Sequence, residues 1–483
     1  MAGPQLEIAF ATSEVVPFVK TGGLADVSAA LPKALGRLGH KVTIFVPRYG
    51  TIPFPPGRFV GAVHVPVDPI NRSAGFYEAT LGGGVRVIFV EHPPFFDRGG
   101  PYGDSGGDYP DNRLRFGFFS RAVLEFFRSR GERPDVFHAH DWQTGLLPVY
   151  LKTFYADDPT LGRLPTLFTV HNLAYQGNFG LDTLSALGLP SHLASREGLE
   201  FHGGLSYLKG GILFSEMVNT VSPTYAQEIQ TPEMGYGFDG ILASRAADLS
   251  GILNGVDYDE WDPRHDPHIA SPYSPEDLSG KALCRSDLLQ AFSLPEYPDL
   301  PIVGVTSRLV YQKGFDIVVG AWYDWIHRPL RMVVLGTGER DVQDGFEAMA
   351  RRAPDRFAVR FTYDSALAHK VEAGSDMFLM PSRYEPCGLA QMYSLRYGAV
   401  PVVRATGGLV DTVEPFPGKR ATGFLWTHAD GTGMMWAVDR ALAAFEDKPG
   451  WERLIRNGMA RDFGWARSAR SYVELYRRAI EKA

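Results

Sequence analysis

Lys20-Thr-Gly-Gly-Leu-Ala-Asp26-Val27 decides how this chain is read. It follows an apolar run from Ile8 to Thr12, then Ser13-Glu14, and opens a helical pattern of Leu24, Val27, Leu31, Leu35 and Leu38. A strand, a glycine turn and a helix start together make an anion site. The glycines Gly22 and Gly23 let backbone N–H groups approach a phosphate, and the helix N-terminus adds partial positive charge. Lys20 adds a full charge beside them. A near copy, Thr406-Gly-Gly-Leu409-Val-Asp411, recurs far downstream. Two such turns predict two nucleotide-fold halves facing one another. Pro32 interrupts the first helical pattern and predicts a kink or break there.

Working outward, short β-branched or aromatic runs alternate with helical patterns, which reads as α/β with parallel sheets. The first half predicts strands at Glu7–Ala11, Val42–Val46, Arg86–Val90, Val136–Ala139, Thr166–Val170 and Met217–Val221. The second predicts them at Ile302–Thr306, Met332–Leu335, Ala358–Thr362, Met377–Met380 and Val400–Val403. Most are apolar on both faces, as strands covered by helices on each side must be. A Pro/Asp/His/Ser-rich stretch from Gly251 to about Gly280 reads as a crossing between domains, and the Gly/Asp/Tyr-rich segment Arg98–Asn112 as a mobile surface loop.

At 483 residues the chain exceeds one comfortable core, so two or more domains are expected. Its 45% hydrophobic and 21% charged residues are those of a soluble globular protein. A net charge of -7 argues against a nucleic-acid or anionic-membrane partner, so any bound anion needs a local cluster of cations. Two distant cysteines, Cys284 and Cys387, exclude a disulfide scaffold and a cysteine-based zinc site and fit a reducing cytosol. The first residues lack a basic, signal-like leader, and nowhere do eighteen consecutive apolar residues occur. The expectation is a cytoplasmic protein.

In open α/β sheets ligands bind beyond the carboxyl ends of the strands. This chain places polar residues there repeatedly: His140-Asp141, His171-Asn172, Asn254-Gly255, Ser307-Arg308 with Gln312-Lys313-Gly314 behind, and Pro381-Ser-Arg383-Tyr-Glu385-Pro-Cys387-Gly388. Split between two series of strands, they point to a cleft between domains. His138, His140 and Asp141 could in geometry ligate a metal, since alternate strand residues share a face. No further ligands are evident.

These residues resemble bacterial glycogen synthases and plant starch synthases. Lys20-Thr-Gly-Gly-Leu-Ala-Asp-Val looks like their phosphate motif. Val221-Ser-Pro-Thr-Tyr-Ala226, Thr231-Pro-Glu233, Gly251-Ile-Leu-Asn-Gly-Val256, Ser307-Arg-Leu309, Gln312-Lys-Gly314 and Pro381-Ser-Arg-Tyr-Glu-Pro-Cys-Gly-Leu389 match in order, closing with Trp465, Tyr472 and Tyr476. The resemblance implies a GT-B arrangement, two facing Rossmann-like domains with an interdomain cleft. The expected boundaries are 1–252 for the N-terminal domain on the acceptor side, 253–465 for the nucleotide-sugar domain, and 466–483 for a last helix that returns to the first domain. It implies a hexosyltransferase moving glucose from ADP-glucose to the non-reducing end of an α-1,4-glucan, glycogen or a malto-oligosaccharide, with retention of configuration. Neither a metal nor a cofactor is implied beyond the donor substrate.

Such a transfer builds negative charge on the leaving diphosphate and an oxocarbenium-like centre on the sugar, so cations and N–H donors at the diphosphate lower the barrier. By resemblance Arg308 and Lys313 hold the diphosphate, assisted by the turns at Gly22-Gly23 and Thr406-Gly407-Gly408-Leu409, with Cys387 and Gly388 lining the donor site. Glu385 is the expected essential carboxylate. It either grips sugar hydroxyls, offsets positive charge, or attacks as a nucleophile. The wider retaining pattern has a second Glu eight residues on; here Tyr393 stands there, so ribose contacts must differ. His171 and Asn254 resemble residues beside the donor sugar. Asp141 and Asp26 resemble sugar- or acceptor-side acids, though Asp26 equally suits its helix N-terminus. Tyr102 is a candidate sugar or nucleotide contact. Lysine and glycine contacts read phosphate and not the base, so UDP-glucose or another acceptor stands as the alternative. A silent glucan-binding protein is disfavoured, because a neutral glucan needs no diphosphate cradle.

Overall fold

A computed structural model describes residues 4–67 and 72–483. The chain folds as two compact units. The first takes the chain up to Val221, then Ala226–Gly255 and Trp465–Ala483; the second takes Ser222–Tyr225 and Val256–Gly464.

The first unit is built on a nine-stranded sheet. Its spatial order is Leu249–Gly251, Met217–Thr220, Thr166–Val170, Val136–His140, Glu7–Ala11, Lys41–Pro47, Val85–Glu91, Arg72–Leu81 and Arg58–Val65. The strands from Leu249 across to Val85 pair in parallel. Val136–His140 and Thr166–Val170 are buried at every residue. Helices on both faces explain their unbroken apolar character.

Three sequence expectations are refined here. The sheet is not wholly parallel, because Arg58–Val65 and Arg72–Leu81 add an antiparallel edge that the apolar-run criterion overlooks. Their burial alternates irregularly around Gly61 and Gly75, as an edge half open to water allows. Of the kink or break expected at Pro32, the break is absent: the helix Gly23–Arg37 runs through it. Pro32 and its neighbours from Ala29 to Leu31 are all buried, so packing holds a turn that propensity alone would end. Finally, Arg98–Asn112, expected as a mobile surface loop, carries local pairing. Gly103–Asp104 pairs with Gly107–Asp108, and Arg98 grips Asp111 through two bonds of 2.7 and 2.6 Å.

The C-terminal helix, Trp465–Lys482, packs within this first unit, against the helix Gly23–Arg37 among others. Its buried Trp465, Ala469, Tyr472, Tyr476 and Ala479 recur at helical spacing. Two of these carry polar tips inward. Tyr476 Oη meets His138 Nδ1 at 2.8 Å, and Asn219 Nδ2 donates to Tyr472 Oη at 3.1 Å. Tyr476→Phe leaves His138 Nδ1 buried without its partner, so it should cost about 1–3 kcal/mol. A thermal melt checks this; a midpoint equal to that of the unaltered protein would contradict it.

The second unit is built on a six-stranded parallel sheet. Its order is Phe357–Arg360, Arg331–Leu335, Ile302–Thr306, Met377–Met380, Val400–Arg404 and Phe424–Trp426. In chain order that is 3-2-1-4-5-6, the doubly wound Rossmann arrangement. Alternate residues of the central strand feed separate cores: Val303 and Val305 join Trp325 and Phe346, whereas Ile302 joins Leu288 and Val371. The irregular stretch after Val256 belongs to this unit and buries Asp262, Asp266 and Tyr273 in it. With its two Rossmann-like sheets the chain has the α/β GT-B architecture.

Candidate active site

Among its parallel strands each sheet reverses order at one place, and ligands bind at such switch points. In the second unit the switch lies between Ile302–Thr306 and Met377–Met380. The first of these strands leads to Arg308 and Lys313, the second to Glu385. The structure brings the last two together. Lys313 Nζ donates to Glu385 Oε2 at 2.6 Å, and Ser382 Oγ donates to the same oxygen at 3.0 Å. Glu385 is 4% exposed. Arg308 is exposed; Ser307 Oγ donates to its backbone oxygen at 3.1 Å, and its guanidinium makes no hydrogen bond or ion pair among the described residues.

Glycine permits this convergence at two positions. Gly314 has φ 70°, and a Cβ there would lie 2.1 Å from the carbonyl oxygen of Pro381. Gly407 has φ 45°, and a Cβ there would lie 2.0 Å from the carbonyl oxygen of Glu385. Any side chain would push the Lys313 and Thr406 turns off the Glu385 loop. Gly408 N donates to Glu385 O at 3.1 Å, so this N–H is spent on the loop itself. Thr406 and Leu409 are buried in the same turn, and Cys387 is buried beside Gly388, whose φ is 70°. Arg383 clamps the loop from outside, with bonds of 2.6 and 2.7 Å to the two oxygens of Asp316. Tyr393, at the place of the second Glu, lies flat on Trp261 with ring centroids 4.0 Å apart, and Trp261 lies on His369 at 3.8 Å. Sequence reading missed this stack because its members are far apart along the chain.

In the first unit the switch lies between Glu7–Ala11 and Val136–His140. Here one residue without an assigned role proves central. Glu14, 3% exposed, accepts from Thr21 N at 2.5 Å, Thr21 Oγ1 at 2.5 Å, Gly22 N at 3.2 Å and Tyr102 Oη at 2.6 Å. Its carboxylate thus holds the Thr21 N–H and the Gly22 N–H, the second of which belongs to the glycine turn that the sequence offers to a phosphate. The signal was an acid directly after the first strand, eight residues before a Gly-Gly turn. Tyr102 also meets Ser13 Oγ at 2.8 Å. Lys20 Nζ donates to Asp26 Oδ1 at 2.7 Å. Burial raises the Asp26 carboxyl above its ordinary value, against the pull of Lys20 and with a push from Glu14.

Asp141 and His171 meet at the next strand ends. His171 N donates to Asp141 Oδ1 at 2.7 Å, and His171 Nε2 meets His140 Nδ1 at 2.9 Å. Asp141 holds φ 54°, a strained value for a residue other than glycine. Both nitrogens of His138 are engaged, by Tyr476 Oη and by Thr169 Oγ1 at 2.6 Å, which suits a structural imidazole and not a metal ligand. Asn254 is 6% exposed and its Oδ1 lacks a partner among the described residues. A buried acceptor of this kind suits a ligand hydroxyl.

Burial holds the His171 ring down to about 3 and lifts the Asp141 carboxyl to about 7 from 3.8. Between 3.8 and about 7 the folded chain therefore keeps an Asp141 proton that the unfolded chain has released. Stability from this group falls as pH rises through that window and is level above it. His171 pulls the other way over an overlapping window, from about 3 up to its ordinary 6.5. The difference between the unaltered protein and Asp141→Asn isolates the aspartate: from pH 5 to 7.5 the unaltered protein loses more in melting midpoint. Parallel curves would contradict the assignment.

Comparisons with known proteins bear on the family and the fold. A family model described as "Starch synthase catalytic domain" matches residues 7–244, and one described as "Glycosyl transferases group 1" matches residues 288–458. The chain is 48% identical over 477 residues to a "Glycogen synthase" of Koribacter versatilis, covering 98% of each. It is 49% identical over 474 residues to a "Glycogen synthase" of Anaeromyxobacter sp. (strain Fw109-5), covering 98% of this chain and 99% of the relative. Among solved structures it is similar to the catalytic domain of Starch Synthase IV from Arabidopsis thaliana bound to ADP and acarbose. That match has a TM-score of 0.91 and 35% identity, and covers 99% of this chain and 100% of the other. Identity at this level across almost the entire length leaves one conclusion: the chain belongs to the glycogen and starch synthase family.

Proposed function

We propose that this protein is a glycogen synthase, a hexosyltransferase that moves glucose from ADP-glucose to the non-reducing end of an α-1,4-glucan with retention of configuration. One observation carries the reading: a buried Glu385 joined to Lys313 at 2.6 Å at the switch point of a Rossmann sheet, with an exposed Arg308 on the same strand-end loop as Lys313. Two cations so placed suit a departing diphosphate, and Arg308 can grip two of its oxygens at once. Glu385 supplies negative charge opposite the oxocarbenium-like centre. The turn at Thr406–Leu409, with Cys387 and Gly388, lines the donor site.

In the first unit we assign Lys20, the Gly22-Gly23 turn, Asn254 and His171 to the donor, and Asp26, Asp141 and Tyr102 to the sugar and acceptor. Neutral His171 suits hydroxyl recognition, since burial keeps its ring uncharged. The relative from Arabidopsis thaliana holds ADP and acarbose, a nucleotide and an oligosaccharide, which supports a nucleotide-sugar donor and a glucan acceptor here. Among the described residues no helix is long and apolar enough to cross a membrane. We place the reaction in the cytoplasm, where the free thiols of Cys284 and Cys387 stay reduced.

The test is a donor-by-acceptor matrix. Incubation with ADP-glucose and maltotriose should release ADP and lengthen the primer, with UDP-glucose a poorer donor. If neither donor releases its nucleotide with any glucan, the reading fails.

A further inference from the structure

The second unit carries a groove that shares no residue with the Lys313–Glu385 cluster. It lies between the helices Phe315–Gly320 and Trp322–Ile326 on one side and Gly431–Glu446 on the other, with a volume of about 660 Å³. That falls in the range of ligand sites, about 300–1,000 Å³.

Its lining has three distinct parts. The floor is small: Gly320, Ala321 and Gly431, with open space where a Cβ on Gly320 would stand. One wall is Trp436, 52% exposed. Arg440, which does not border the groove, lies over the indole at 4.7 Å and is itself tied to Phe416 O at 3.1 Å. It props one face of the ring, so the indole is held as a platform. An end wall is the ion pair of Arg328 with Asp439, two bonds of 2.9 Å, with Asp324 joining at 3.1 Å. Asp324 and Asp439 stay half-exposed, so their oxygens can accept further bonds.

We propose that this groove is a second glucan site, which holds a segment of the polymer while chain ends are extended elsewhere on the molecule. It rests on the glucan reading above for the identity of the polymer. A pyranose ring has an apolar face of C–H groups and a rim of hydroxyls. The first fits an exposed, propped indole, and the second fits a fixed carboxylate–guanidinium pair. Two carboxylates against one guanidinium leave the groove net negative, which disfavours phosphate and other anions and favours a neutral polyol. On a branched polymer a second grip raises the local concentration of chain ends without any new contact at the reacting centre.

The experiment is native electrophoresis through gels containing glycogen, in parallel with ADP release using maltotriose, which is too short to span two sites. Trp436→Ala should weaken glycogen retardation by about tenfold, the size of one aromatic contact. Its kcat/KM for maltotriose should stay within about twofold of the unaltered protein. Gly320→Leu, which fills the floor and keeps the platform, should act the same way. Retardation equal to the unaltered protein in both variants overturns the proposal, as does an equal fall in maltotriose transfer. The two readings fail separately. Retardation lost on Trp436→Ala in a protein that transfers no glucose supports the groove and defeats the function; transfer by an unaltered protein that glycogen does not retard does the reverse.

Discussion

Glu385→Gln is expected to lower kcat for glucosyl transfer by about a hundred- to a thousandfold and to leave the fold in place. Glutamine has nearly the same shape and keeps an acceptor for Lys313 Nζ and Ser382 Oγ, which now meet Oε2 at 2.6 and 3.0 Å. What it removes is the charge. In a group only 4% exposed, that charge acts with little screening by water on any positive centre that forms beside it. The loss should fall on kcat more than on KM, because the positive centre exists only in the transition state. Initial rates of ADP release over a range of ADP-glucose concentrations measure both. A near-normal kcat would remove Glu385 from the chemistry.

Lys313→Ala should cost a similar factor in kcat/KM, about a hundred- to a thousandfold, with a rise in KM for ADP-glucose. It should also destabilise the second unit, since the buried Glu385 carboxylate keeps Ser382 and loses its cation. These two effects can be separated. Adding Glu385→Gln to Lys313→Ala removes the unpaired charge, so the double variant should melt higher than Lys313→Ala alone. Its rate should fall by far less than the product of the two single losses, because the residues act as a unit. Multiplying losses, together with equal melting midpoints, would contradict a coupled pair.

Much of this was legible because parallel strands advertise themselves. Runs such as Thr166–Val170 and Met377–Met380 are buried along their whole length, so they read as strands without any periodicity. The turns after them stand out as polar breaks in apolar sequence, and the resemblance to glycogen and starch synthases singled out Arg308, Lys313 and Glu385 among them. The hairpin Arg58–Val65 and Arg72–Leu81 was not legible, since an edge half open to water has neither a continuous apolar run nor clean alternation. Glu14 was quoted and passed over for a different reason. A strand-end acid reads as a loop residue until the fold brings the Gly22 turn and Tyr102 around it. The Tyr393–Trp261–His369 stack and the Arg383–Asp316 clamp depend likewise on partners that only tertiary structure supplies.

The claim beneath all of this is that the Arg308 and Lys313 cations receive the diphosphate of the donor. A crystal structure of the protein with ADP tests it most directly. Diphosphate oxygens within hydrogen-bonding reach of Lys313 Nζ and the Arg308 guanidinium are the predicted result. ADP seated elsewhere, or these two side chains turned away from it toward open solvent, would contradict the account.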